Sequence, residues 1–218
     1  MKVPLSRFTS IEPERLTKSF ELVNGQLVAK PGGHMVDGQV ERVEVEFPPG
    51  FAELLTQSAV NMACGYGVPG VDEAHITTRE KAGPGDLARI RENFRFLAAE
   101  TIMMLDFDVR PGTVPLTRDA LVDLLTSVSP EIADCALVTT DSASSHIVDA
   151  KTGEELKGEG GKRVYLVAKN GQDIPRAGQV LFDRLVLAGH GHIQITKAGT
   201  MLVRTIIDGS VWQPERLD

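Results

Sequence analysis

The chain has 218 residues, 42% of them hydrophobic and 24% charged, which is enough for one large domain or two small ones. It holds no run of about 18 apolar residues, which excludes a transmembrane helix, and its opening MKVPLSRFTS lacks the apolar centre of a signal peptide. The net charge of -7 argues against a general nucleic-acid binder, yet residues 151–218 hold ten Lys or Arg against eight Asp or Glu, so the first 150 residues carry the acidic excess.

That distribution makes the C-terminal part the better place for an anionic substrate, with an unevenly charged solvated surface as the alternative. Cys64 and Cys135 are the only cysteines. Two cysteines make no disulfide scaffold and no CxxC metal pair, so a reducing cytoplasmic setting is expected.

In chain order, the first hundred residues read as a mixed, loop-rich region. Val40 to Phe47 (VERVEVEF) alternates apolar and charged residues and predicts a strand, which Pro48, Pro49 and Gly50 end. Helical spacing of Phe51, Leu54, Leu55 and Val60 predicts a helix over 51–63. Residues 66–71 predict a turn or short strand, and Leu87 to Phe96 a short helix after the Gly83-Pro84-Gly85-Asp86 break.

From residue 101 the pattern sharpens. Thr101 to Val109 (TIMMLDFDV) predicts an apolar strand interrupted by two aspartates and stopped by Arg110-Pro111-Gly112. Thr117 is placed to N-cap a helix running through Leu121, Leu124 and Leu125. Residues 136–140 and 163–169 predict strands, separated by a Ser-, Gly- and charge-rich loop. Ile174 to Ala188 predicts a helix with Pro175 in its first turn and Gly189 as its stop. His192–Thr196 and Met201–Ile207 predict strands joined by a turn at 197–200. This order suits an α+β fold, an antiparallel sheet with helices packed on one face. The expected division is an N-terminal mixed α/β region over 1–100 and a core over 101–218.

Four groups of residues carry chemistry. Asp106 and Asp108 alternate with Phe107, so a strand points both carboxylates to one face. Carboxylates in an apolar strand are costly to bury, and a divalent cation with a preference for oxygen removes the cost; a strand end open to water is the other reading. Asp208 ends a second apolar strand. It either completes a two-metal site or caps a turn with Gly209-Ser210. Ser144 and His146 offer a hydroxyl and an imidazole to an anion, against the alternative of a solvated loop. Lys162 and Arg163 follow a Gly-rich turn that lacks the phosphate-loop pattern. His190 and His192 read as turn and strand residues, and Lys197 and Arg204 as residues able to face the same surface.

The LDFD strand (105–108), the SSH element (144–146) and the ID pair (207–208) come in that order. Together with DIPRAGQVLFDRLVLAGHG (173–191) and LVRTIIDGSVWQPERLD (202–218), they resemble the archaeo-eukaryotic primase superfamily, the primase-polymerases, of the mobile-element and phage type. The resemblance covers about residues 101–218. It implies an RRM-like catalytic sheet and two-metal nucleotidyl transfer from (d)NTPs to a primer 3′-hydroxyl or an initiating nucleotide. It implies Mg²⁺ or Mn²⁺, two ions, held by Asp106, Asp108 and Asp208. It puts Ser144 and His146 on the nucleotide phosphates, with Arg163, next to Lys162, as co-candidate. Single-stranded or primed DNA is the implied template, a helicase domain or subunit the implied partner, and no membrane is involved. Asp183 in LFDRL is the poorer rival for the late acid because its context is helical. A two-metal nuclease and a noncatalytic RRM-like binding module are the alternatives; few aromatics fall on the strands to stack bases for the latter.

Overall fold

A computed structural model describes residues 1–109 and 114–218; the expected strand stop at Arg110-Pro111-Gly112 lies outside them. The chain divides into two compact units, one of 1–102, 168–172 and 213–218, the other of 103–167 and 173–212. Both mix helices with antiparallel strands, so the class is α+β. No helix among the described residues is long and apolar enough to cross a membrane.

The first unit contains β1 (Lys2–Glu12), β2 (Ser19–Val23), β3 (Gln26–Lys30), β4 (Asp37–Glu46), α1 (Pro49–Gln57), β5 (Met62–Gly65), β6 (Val68–Pro69), β7 (Glu73–Thr77), β8 (Leu87–Ala88) and β9 (Phe94–Arg95). Its main sheet has the order β5-β1-β4-β7-β8. The strand expected over 40–47 forms as β4, but Glu41-Arg42 breaks its alternation: fully buried Val40 faces away from Val43 and Val45, which share the face where Glu41 pairs with Arg7 at 2.6 Å. Phe8, Val40, Ile76 and Phe94 form the core.

Two elements of this unit differ from expectation. The helix expected over 51–63 stops at Gln57, and Met62–Gly65 becomes a strand registered on Ser6–Thr9 of β1. The helix expected over 87–96 is absent: Leu87 and Ala88 pair with β7, and Phe94 turns its ring against Phe8 with centroids 5.6 Å apart. Pairing with neighbouring strands buries these side chains better than a lone helix would, so tertiary packing overrides the local spacing.

The second unit contains most of β10 (Thr101–Phe107), α2 (Arg118–Val128), β11 (Val138–Asp141), β12 (Ile147–Val148), β13 (Glu155–Lys157), all but the last residue of β14 (Lys162–Ala168), α3 (Ile174–Leu185), β15 (His192–Ile195) and β16 (Met201–Arg204). Thr117 caps α2 as expected, its Oγ1 accepting from Ala120 N at 3.2 Å. Gly189, at φ +88°, ends the turn that follows α3. The sheet has the order β10-β14-β11, while β15 and β16 form a separate hairpin. An isolated antiparallel bridge, Phe107 to Ile207, joins the end of β10 to the chain leaving the hairpin.

Trp212 is 7% exposed and donates its indole N–H to Met104 O at 3.0 Å. It lies flat on Gly178 of α3, where an added Cβ would come within 2.1 Å of the indole Cδ2. A Gly178→Ala substitution forces the indole away, and is expected to destabilise the fold by about 1–3 kcal/mol in denaturant unfolding despite alanine's better helix propensity.

In the first unit, His75 on β7 sits between two carboxylates, Nδ1 at 3.0 Å from Asp86 and Nε2 at 3.1 Å from Asp37. Hydrogen bonding to Asp86, then to Asp37, raises its pKa above the usual imidazole range. Because the folded-state pKa is raised, the stabilisation is complete below the unfolded-state value of about 6.5 and is lost as pH rises through the folded value. A His75→Gln variant should therefore lose more thermal stability against wild type at pH 5.5 than at pH 9; equal losses at both would remove the charged-imidazole account.

Candidate metal centre

Antiparallel pairing brings the three acids together. Asp208 N donates to Asp106 O at 2.9 Å and Asp108 N to Ile206 O at 3.3 Å, flanking the Phe107–Ile207 bridge. Asp106 therefore stands directly opposite Asp208 on one face, with Asp108 two residues further along. Leu105 and Phe107 point into the opposite, buried layer, at 0% and 4% exposure. Carboxylate oxygens of Asp106, Asp108 and Asp208 lie within 4.8 Å of one another.

This convergence has an electrostatic cost. Like charges this close repel, and solvent around the exposed Asp108 screens part of that repulsion. Two arginines offset part of it. Arg163 on β14 brings Nε to 3.8 Å from Asp106 Oδ1, and Arg204 on β16 brings Nη1 to 3.7 Å from Asp208 Oδ1. Neither separation is that of a tight ion pair. Three hard oxygen donors on a half-buried face fit an oxygen-preferring divalent cation.

Asp208 makes the turn cap that one reading of the sequence expects, and its carboxylate also stands beside Asp106 and Asp108. It caps the 3₁₀ turn Gly209–Val211, with Oδ1 accepting from Ser210 N at 3.0 Å and Oδ2 from Ser210 Oγ at 2.7 Å, and it also joins the acid cluster. The cap fixes the carboxylate's orientation. Asp183 stays on the exposed face of α3, where it accepts from Gln179.

The remaining expected residues occupy two places. Ser144 Oγ lies 3.0 Å from Ser142 Oγ, and Ser142 N donates to Gly161 O at 2.8 Å, which holds this loop against the start of β14. A Cβ on Gly161 would meet Phe107 O at 2.7 Å and Ser142 Oγ at 3.2 Å, so the serine loop packs beside the acid-bearing strand only because residue 161 has no side chain. His146, at φ +50°, contacts Glu155 Oε1 through Nδ1 at 2.9 Å and is half-exposed. Lys162 is 3% exposed and pairs with Glu159 at 2.6 Å and Asp141 at 3.6 Å. It lines a cavity of about 300 Å³ with Thr117, Arg118 and Asp119, apart from the acids.

A second cavity, of about 560 Å³, opens on the acids themselves. Asp108 and Asp208 line it together with His192, Gln194 and Arg204. The sequence hinted at Arg204 and, through the GHGH spacing, drew attention to His192 as a strand residue, but not to Gln194, whose only signal is its alternation with Ile193 and Ile195 along a strand. No family model matches the chain, and no curated protein or solved structure matches it either.

The acid cluster should bind Mn²⁺. Titration followed by the loss of the free-ion paramagnetic resonance signal is expected to show binding by wild type, weakened about 10-fold or more in Asp106→Asn and in Asp208→Asn. Retention of wild-type affinity in both variants would place the cation elsewhere.

Proposed function

We propose that this chain is the catalytic domain of a DNA primase-polymerase, and the observation that carries the proposal is the convergence of Asp106, Asp108 and Asp208 from remote parts of the sequence. Two of the acids leave one strand and the third faces them across an antiparallel bridge. The order LDFD, SSH, ID along the chain is the order in which the sequence resembles that superfamily. An RRM-like sheet is part of the same proposal, supported by β10, β14 and β11 in one sheet with α2 and α3 in the same unit.

Asp106, Asp108 and Asp208 would hold Mg²⁺ or Mn²⁺, which would supply Lewis acidity toward an attacking hydroxyl and a leaving pyrophosphate. The protein's own groups do the rest. Arg163, beside Asp106, is positioned to meet a phosphate oxygen. Ser144 and His146 sit on the loop that Gly161 ties to the strand end, and they offer the second set of phosphate contacts. Lys162, buried and paired with Glu159 and Asp141, serves by holding the start of β14 in place, with direct phosphate contact falling to Arg163. The substrates proposed are (d)NTPs and a single-stranded or primed DNA template bound through its backbone, with a helicase domain or subunit as partner. The proposed setting is the cytoplasm, where the two free thiols, Cys64 and Cys135, stay reduced.

The test uses primed and unprimed single-stranded DNA, labelled nucleotides and Mg²⁺ or Mn²⁺. Wild type should form product, and the Asp106→Ala plus Asp108→Ala variant should form about a thousandfold less, corresponding to several kcal/mol of lost charge stabilisation. No product on either template from folded, Mn²⁺-binding wild type would end the proposal. Cleavage of DNA without nucleotide would assign the same acids to a nuclease.

A further inference from the structure

The hairpin of β15 and β16 has two faces of opposite chemistry. Its register pairs His192 with Arg204, Ile193 with Val203, Gln194 with Leu202 and Ile195 with Met201. Residues paired across an antiparallel ladder share a face, and the faces alternate along each strand. One face therefore carries His192, Gln194, Leu202 and Arg204, and three of these four line the cavity of about 560 Å³ that Asp108 and Asp208 also line.

Arg204 is held but not consumed. Its Nε donates to Gln194 Oε1 at 3.2 Å, and Nη1 approaches Asp208 Oδ1 only to 3.7 Å. Among the described residues its Nη groups make no hydrogen bond, although the side chain is 42% exposed and borders the cavity. A guanidinium has five N–H donors in a planar fork suited to phosphate oxygens. His192 lines the same cavity, although its Nδ1 is buried and has no hydrogen-bond partner among the described residues.

We propose that this face of the hairpin is the wall of the substrate site that binds the phosphate chain, with Arg204 as the anion ligand and Gln194 as the residue that positions it. The inference rests on the proposed nucleotidyl-transfer function and names how that site takes its triphosphate. Arg204 then has two opposite relations to what binds. It repels a divalent cation arriving alone at Asp208, and it attracts the polyphosphate that the cation carries. A purely structural arginine has no reason to show this sign reversal.

Three measurements on the full chain test the proposal: binding of Mn²⁺ alone, of inorganic triphosphate with Mg²⁺, and of ATP with Mg²⁺, the last two by calorimetry. Arg204→Ala should weaken triphosphate and ATP by about 10- to 100-fold, the range for a lost charge-assisted hydrogen bond, while leaving Mn²⁺ binding equal or tighter. Arg204→Lys should recover part of the loss, and Gln194→Ala should show a smaller loss of the same kind. Unchanged ATP and triphosphate binding in Arg204→Ala, with Mn²⁺ still bound, would overturn this inference and leave the proposed function standing. Parallel loss of Mn²⁺ and triphosphate would also overturn it, by making the role structural. Failure of wild type to bind Mn²⁺ would remove the proposed function and this inference together. If Arg204→Ala does not fold, as judged by circular dichroism, Arg204→Lys and Gln194→Ala decide the matter: wild-type affinity in both overturns the proposal.

Discussion

The second unit is organised around a single residue pair. The bridge between Phe107 and Ile207 sets two carboxylates face to face, because the residues flanking it, Asp106 and Asp208, exchange a backbone hydrogen bond. Like charges opposite each other across strands are destabilising. Here they persist because the bridging side chains are both buried, Phe107 at 4% and Ile207 at 1% exposure, so apolar packing on one face holds together what electrostatics on the other would separate. The acids cannot relax apart without exposing that aromatic and aliphatic surface.

The remaining polar groups follow from this arrangement. Arginines arrive from the neighbouring strand and from the hairpin, one on each side of the acids, at distances that moderate the charge without locking it. Ser210 takes up lone pairs of Asp208 and fixes its orientation. The result is a negative patch with a basic rim, partly buried and bordered by a cavity.

Much of the second unit was legible in the sequence because its signals are local. TIMMLDFDV is a strand by composition, Thr117 a cap by position, and Gly189 a helix stop by its conformational freedom. The alternation of Asp106, Phe107 and Asp108 told which side chains share a face. The partner of that face was not legible, since no local rule says that Ile207 pairs with Phe107 rather than with another strand. The first unit was harder for the same reason. Its longest strand, Lys2–Glu12, lies among polar residues with no clean alternation, and went unread. The β2–β3 hairpin also went unread, although Asn24 and Gly25, both at positive φ, are the residues a tight hairpin turn needs. Leu87 to Phe96 has helical spacing, yet Phe94 is worth more packed on Phe8 than on its own helix. Lys162 looked like an anion ligand by proximity to glycines, and the fold instead surrounds it with Glu159 and Asp141.

Trp212 is the sole tryptophan of the chain. Its indole is anchored to the carbonyl of Met104, two residues before Asp106, and it packs on α3 four residues after Asp208. Light absorbed at the red edge of the protein's spectrum is therefore reported from one place, the seam between the two acid-bearing segments. The molecule carries its own optical gauge of whether that seam is closed, with no dye or label to disturb it.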